Sequence, residues 1–209
     1  MRKLDWRKNI MSAMEDISGG TRLPLVFFHN PDDEGCRKVL DETLTDGTVI
    51  TLLEREFSPV MVNTVIDKET AQKFHVDWTP AFIVLDEQGH ELERFVGYLP
   101  ARELEAQLQL SKGLALFHLE RNDETIALFD EMIEKFPESE LIPEAEYFLG
   151  AASSKVQGNQ VRMVEISHIL TEKYPDSVWT KRCTPWAHLQ MQGPFVGYDQ
   201  GGSAGSGAY

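Results

Sequence analysis

The chain has 209 residues, 42% of them hydrophobic and 26% charged, which is enough apolar side chain for one large core or two small ones. Its formal net charge of −14 is spread along the chain, with 12 basic and 20 acidic residues up to Leu110 and 8 and 14 beyond it. That balance argues against nucleic acid or an anionic membrane as the main partner. The two cysteines, Cys36 and Cys183, stand too far apart to suggest a disulfide framework, the segment Met1 to Lys8 has charge but no apolar h-region, and no later run nears the roughly twenty apolar residues of a membrane span. A soluble, cytoplasmic protein is expected.

In chain order, Trp6, Ile10, Met14 and Ile17 recur at helical spacing until Gly19 and Gly20 stop the pattern, predicting an entry helix before the buried strand Leu25 to Phe28. Pro31 to Glu34 supplies a turn and an acidic first helical turn, with Cys36, Val39, Leu40 and Leu44 continuing on one face. A second short helix with Val49, Leu52, Leu53 and Phe57 is expected before a strand from Val60 to Val65. A helix from Lys68 to Phe74, a strand from Ala81 to Leu85, a turn through Glu87 and Gly89, and a strand from Leu92 to Val96 follow. Pro100 opens the last helix of this part.

The segments Leu25 to Lys38 and Val76 to Asp86 carry a resemblance. Over roughly residues 5 to 110 the order resembles a thioredoxin-type domain, an α/β fold with a central mixed sheet flanked by helices, in the variety with a Trp-bearing entry helix and an extra helix after the active-site one. In that family a buried strand leads into a Cys-Gly-Pro-Cys turn at a helix start, and a distant Thr-Pro, its proline cis, packs against the disulfide. Counted from Leu25 and Val26, the second cysteine falls on Cys36 and the first on Asp33. Glu34 and Gly35 replace Gly-Pro, and Asp32 stands where the family carries tryptophan. The resemblance implies a proline loop at Thr79 and Pro80, whose surface in this fold meets extended peptides. A carboxylate cannot replace the low-pKa thiolate that begins thiol–disulfide exchange, so the redox centre reads as dismantled.

Three readings of Cys36 follow: a small semi-buried residue packed near Pro80, a monothiol redox residue or redox sensor, or a metal ligand, the last lacking any histidine or second cysteine at ligand spacing. Asp32, Asp33 and Glu34 are expected to raise its pKa. Asn30, Asp32, Glu34, Gly35 and Asp41 fit a calcium-loop template, but that template needs a helix on each side and a hydrophobic eighth position, which is Arg37 here. An acidic helix cap is the preferred reading. His29 and His75 lack triad-like companions and read as surface or packing residues. No metal and no cofactor are expected.

From Leu104 the pattern is helical, with a break at Arg121 to Asp123, and the run Lys135-Phe-Pro-Glu-Ser139 recurs as Lys173-Tyr-Pro-Asp-Ser177 at a period of 38. This part resembles tetratricopeptide repeats. In that register Cys183 matches Ala145, Trp179 and Trp186 pack a partial third unit, and Pro185 cuts its helix short. Two repeats are fewer than such arrays usually need, so they lean on the first domain, on the Trp-bearing helix, or on a second subunit in a homodimer. The expected division is a thioredoxin-like domain at 1–105, helical repeats at 106–190 and a disordered glycine-rich tail at 191–209, with the helix after Pro100 running straight into the first repeat. The favoured function is a non-catalytic adaptor holding a protein or peptide partner. The rivals are a thioredoxin-family thiol oxidoreductase or sensor in redox homeostasis using Cys36, and acid–base catalysis by Asp33 and Glu34.

Overall fold

The computed structural model describes residues 3–17 and 20–189, so the helix stop expected at Gly19 and the tail expected at 191–209 lie outside the described residues. Strands β1 (Leu23–His29), β2 (Phe57–Asn63), β3 (Ala81–Leu85) and β4 (Glu91–Val96) form one mixed sheet in the order β2-β1-β3-β4. β1 runs parallel to β2 and antiparallel to β3, which pairs antiparallel with β4. β1 has a strand on each side and helices on each face, which is why its sequence does not alternate and all seven residues are buried. Leu25, Phe27, Phe82 and Val84 enter a core closed by α2 (Glu34–Asp41), α3 (Gly47–Glu56) and α5 (Ala101–His118). Val26, Phe28, Ile83 and Leu85 enter the opposite core, against α1 (Ile10–Asp16) and the end of α4 (Lys68–Lys73).

Two expectations about boundaries are corrected. Trp6 precedes the entry helix: a capping box between Asn9 and Ser12 starts α1 at Ile10, while the chain before it lies along the sheet edge, Arg7 N–H donating to the Pro59 carbonyl at 2.7 Å and Trp6 stacking on Phe27. Phe57 belongs to β2 and not to the helix before it, and β2 ends at Asn63, short of Val65. The parallel register decides this, because Leu23 pairs with Phe57 and His29 with Asn63, and the Asn63 side chain then accepts from the Val65 and Ile66 amides in a turn.

The C-terminal part is helical: α6 (Asn122–Lys135), α7 (Ile142–Gln157), α8 (Val161–Lys173) and α9 (Val178–Ala187). The 38-residue sequence echo is also an echo of geometry. Phe136 and Tyr174 cap α6 and α8 with φ/ψ of −126/50° and −134/54°. Ser139 and Ser177 donate their amides to those cap carbonyls at 2.9 and 3.0 Å, and their hydroxyls accept from Leu141 and Trp179 at 3.3 and 3.2 Å. Pro185 does not cut α9 short, since the helix continues to Ala187. The Lys181 carbonyl, which a proline at 185 cannot serve, instead accepts from the Thr184 hydroxyl at 2.8 Å.

Helix α5 belongs to both halves. Leu104, Leu108 and Ala115 pack into the sheet core, and Ala106, Leu110 and Leu114 into the helical core with Phe129, Met132, Leu149 and Ile166. Lys112 of the same helix, buried, pairs with Glu56 at the end of α3. One continuous helix with two apolar faces is therefore the joint.

Candidate functional site

The sequence singled out the turn after β1, and its geometry follows from side chains that cap. Asn30 Oδ1 accepts the Asp32 amide at 3.0 Å, and the Asn30 carbonyl accepts the Asp33 amide at 3.1 Å, which turns the chain out of the sheet. Asp33 is then the N-cap of α2, its Oδ1 accepting the Cys36 amide at 2.8 Å. Arg37 reaches back from the helix to the Pro31 and Asp32 carbonyls. Glu34 points outward, its carboxylate 3.6 Å from Lys38. Of the calcium-template residues, Asn30 shapes the turn and Glu34 points outward to Lys38, the cap itself is Asp33, and the helix that template needs upstream is strand β1.

The Thr79–Pro80 peptide bond is cis, and the loop is held by the Gly97 amide donating to the Pro80 carbonyl at 2.8 Å. Gly35 lets the start of α2 close on this loop, since a Cβ there would stand 3.1 Å from Pro80 Cδ and 3.1 Å from Asp33 Oδ1. Asp33, Gly35, Cys36, Thr79 and Pro80 therefore meet in one place, and Glu34 stands outside it. Cys36 is fully buried, its sulfur accepting the Asn30 amide at 3.4 Å and hydrogen-bonded by the Thr79 side chain.

Burial pushes the Cys36 thiol up, and Asp33 adds to this through a hydrogen bond and its charge, while Asn30 and Thr79 oppose them. The direction agrees with the sequence reading, but the cause is corrected: burial leads, and of the three acidic residues only Asp33 acts on the thiol. Cys183, buried in the helical core, is pushed up to about 11 by desolvation. Alkylation by iodoacetamide followed against pH should therefore give an inflection for Cys36 above the roughly 8.5 of a free cysteine, with Cys183 slower still. An inflection below that value would mark an activated thiolate and restore the redox reading.

His29 is a packing residue. It is buried, its ring stacks on Phe27 with centroids 5.7 Å apart, and burial lowers its pKa. His75 is exposed at a positive φ of 50°. What the sequence reading missed is Trp78, which stands 72% exposed beside the proline loop. A tryptophan left in water next to the Thr-Pro pair was the available signal, because such a ring is ordinarily buried.

A family model described as a thioredoxin-like domain matches residues 10–112. This part of the chain is a thioredoxin-like domain. Among solved structures, the domain is similar to a thioredoxin from Thermus thermophilus at 26% identity, covering 52% of this chain and 86% of that one with a TM-score of 0.46. It is similar also to the C-terminal domain of Neisseria meningitidis DsbD in its oxidised form, at 14% identity over 49% and 89% of the two chains with a TM-score of 0.41. A third is a DsbH oxidoreductase, at 16% identity over 53% and 85% with a TM-score of 0.45. Comparison with curated proteins gives no match. In the thioredoxin-like domain of this chain, the position counted as the attacking cysteine is the capping aspartate, and the one thiol is inside the fold.

Proposed function

We propose that this protein is a non-catalytic adaptor, in which the thioredoxin-like domain serves as a binding scaffold and the helical part, with its tetratricopeptide-like 38-residue echo, presents a surface to a protein or peptide partner. The observation that carries this reading is Asp33. Its carboxylate caps α2 through the Cys36 amide, in the place where exchange chemistry requires a thiolate, and Cys36 behind it is buried with its pKa raised. The exposed Trp78 beside the proline loop supports a role in contact, since a large exposed aromatic is the kind of residue that anchors interfaces. The acid–base alternative finds no support at these residues: Asp33 is committed to the cap, and Glu34 lies in solvent beside Lys38.

The test is reduction of insulin disulfides with dithiothreitol as electron donor. Addition of this protein is expected to leave the rate at that of dithiothreitol alone, and Cys36→Ser is expected to bind partners as the wild type does. Turnover near that of an ordinary thioredoxin, lost in Cys36→Ser, would replace the adaptor reading with a monothiol oxidoreductase.

A further inference from the structure

The sulfur atoms of this chain divide by depth. Both thiols are buried, Cys36 beside the proline loop and Cys183 in the helical core, and burial raises the pKa of each, so neither presents a ready thiolate to an oxidant. Of the seven methionines, Met132 and Met163 are at most 2% exposed in the helical core, whereas Met11 is 66% and Met61 39% exposed. Met1 and Met191 lie outside the described residues. Among the described residues, the sulfur that solvent reaches is therefore thioether, and it is gathered on the entry helix and the sheet edge.

Met11, Met14 and Met61 border one groove of about 440 Å³ between α1, β2 and the end of α4, with Ile66 and Phe74 on its far side. Met11 and Met14 lie three positions apart on one face of α1. Met61 is the one exposed residue between Phe57 and Val62 in the edge strand β2. Met14 is half-buried, and its Sδ lies 3.2 Å and its Cε 3.9 Å from where a Cβ on Gly89 would stand, so the thioether packs on the turn between β3 and β4. Few other apolar contacts hold α1. Within its seven residues Ala13 alone is buried, with Ile10 and Met14 half-buried, and Ile17 follows at the C-cap. A helix this short owes its stability to such packing.

We infer that Met14, flanked by the more exposed Met11 and Met61, is an oxidation-sensitive latch: a hydroperoxide converts its thioether to the sulfoxide, and the added oxygen loosens α1 from the β3–β4 turn. With hydrogen peroxide, a sulfur lone pair attacks one oxygen, and the S–O bond forms as the O–O bond breaks. The leaving oxygen takes the proton of the transferred one and departs as water, the sulfur losing the two electrons that the peroxide gains. Met11 and Met61 react first because they are more accessible, but their sulfoxides stand in solvent and leave the fold as it is. At Met14 the sulfoxide oxygen must either intrude on the contact with Gly89 or give up its hydration, and both favour the state in which α1 is detached. Sulfoxide reductases reverse the step, two thiols giving a disulfide and water as the thioether is restored. This inference does not rest on the adaptor reading.

The experiment treats the full-length protein with hydrogen peroxide and follows the gain of oxygen at each methionine by peptide mass mapping, in wild type, Met14→Leu and Met11→Leu/Met61→Leu. Leucine keeps the side-chain volume and has no sulfur to oxidise, and unchanged melting before treatment shows that the fold is kept. Oxidation is expected at Met11 and Met61 first and Met14 next, with Met132 and Met163 unreacted while the protein stays folded. Once Met14 has reacted, amide hydrogen exchange in α1 is expected to rise about tenfold or more, as where an apolar contact gains an unpaired polar group. That rise should persist in Met11→Leu/Met61→Leu, be absent from Met14→Leu, and be reversed by the two reductases that act on the two sulfoxide epimers. The wild-type time course and its reversal do not depend on the variants. Met14 reacting no sooner than Met132 or Met163, exchange in α1 unchanged after Met14 has reacted, or an equal rise in Met14→Leu would each overturn the inference.

Discussion

A fragment beginning at Glu103 is expected to unfold over a broad, weak thermal transition or to aggregate, whereas the whole chain melts cooperatively. The reason lies in α5. Cutting in the first turn of this helix removes the sheet and leaves Leu104, Leu108 and Ala115, all at most 1% exposed in the intact chain, facing water. Exposing roughly 200 Å² of apolar surface costs about 5 kcal/mol at about 25 cal/mol per Å², against a total stability of roughly 5–15 kcal/mol for a whole domain. The cut also removes Glu56 and leaves Lys112 without its buried partner. Circular dichroism melting of the fragment beside the full chain is the measurement. If the fragment melts cooperatively as a monomer at the temperature of the full chain, the sheet and the helices are independent, and the shared-helix architecture is wrong.

Gly113→Ala is expected to destabilise the protein although it places the best helix former in the interior of a helix. On propensity alone the change should gain about 1 kcal/mol. At Gly113, however, the new Cβ would stand 2.2 Å from Phe129 Cε1 and 2.4 Å from Cζ, and Phe129 is fully buried in the helical core. The ring is fully buried and the approach far inside van der Waals contact, so overpacking toward the upper end of about 1–3 kcal/mol or more outweighs the gain. A fall in Tm of roughly 2–8 °C is the expected reading for a chain of this size. Gly47→Ala is the control: it sits at the start of α3, exposed, with nothing within 4 Å of the added carbon, and should be neutral or stabilising. Equal melting of wild type and Gly113→Ala would mean that α5 does not approach α6 as closely as described.

Gly150 makes a comparable approach between α7 and α8, with Met163 Sδ 2.8 Å from its virtual Cβ. Neither glycine was legible as a packing residue in the sequence, because a glycine in a helical pattern signals only lost propensity until the facing ring or thioether is known. The Lys-aromatic-Pro-acidic-Ser turns were legible for the opposite reason: cap, proline stop and serine acceptor are all local, so the same residues build the same turn twice.

The residues alone determined those elements whose causes are local. The apolar run of β3 between Pro80 and Asp86, the acidic cap at Asp33 and each of the two Lys-aromatic-Pro-acidic-Ser turns follow from neighbours within a few positions. Tertiary structure decided the rest. Phe57 is strand and not helix because a parallel partner 34 residues upstream fixes its register, and Trp6 lies outside α1 because the sheet edge engages the chain before the Asn9 cap. The Cys36 thiol is governed by burial more than by its acidic neighbours in sequence. Phe117, Phe148 and Trp179 become one surface only once α5, α7 and α9 lie side by side. Each of these depends on groups brought together from distant points in the chain, and periodicity within a window carries no information about which distant groups will meet.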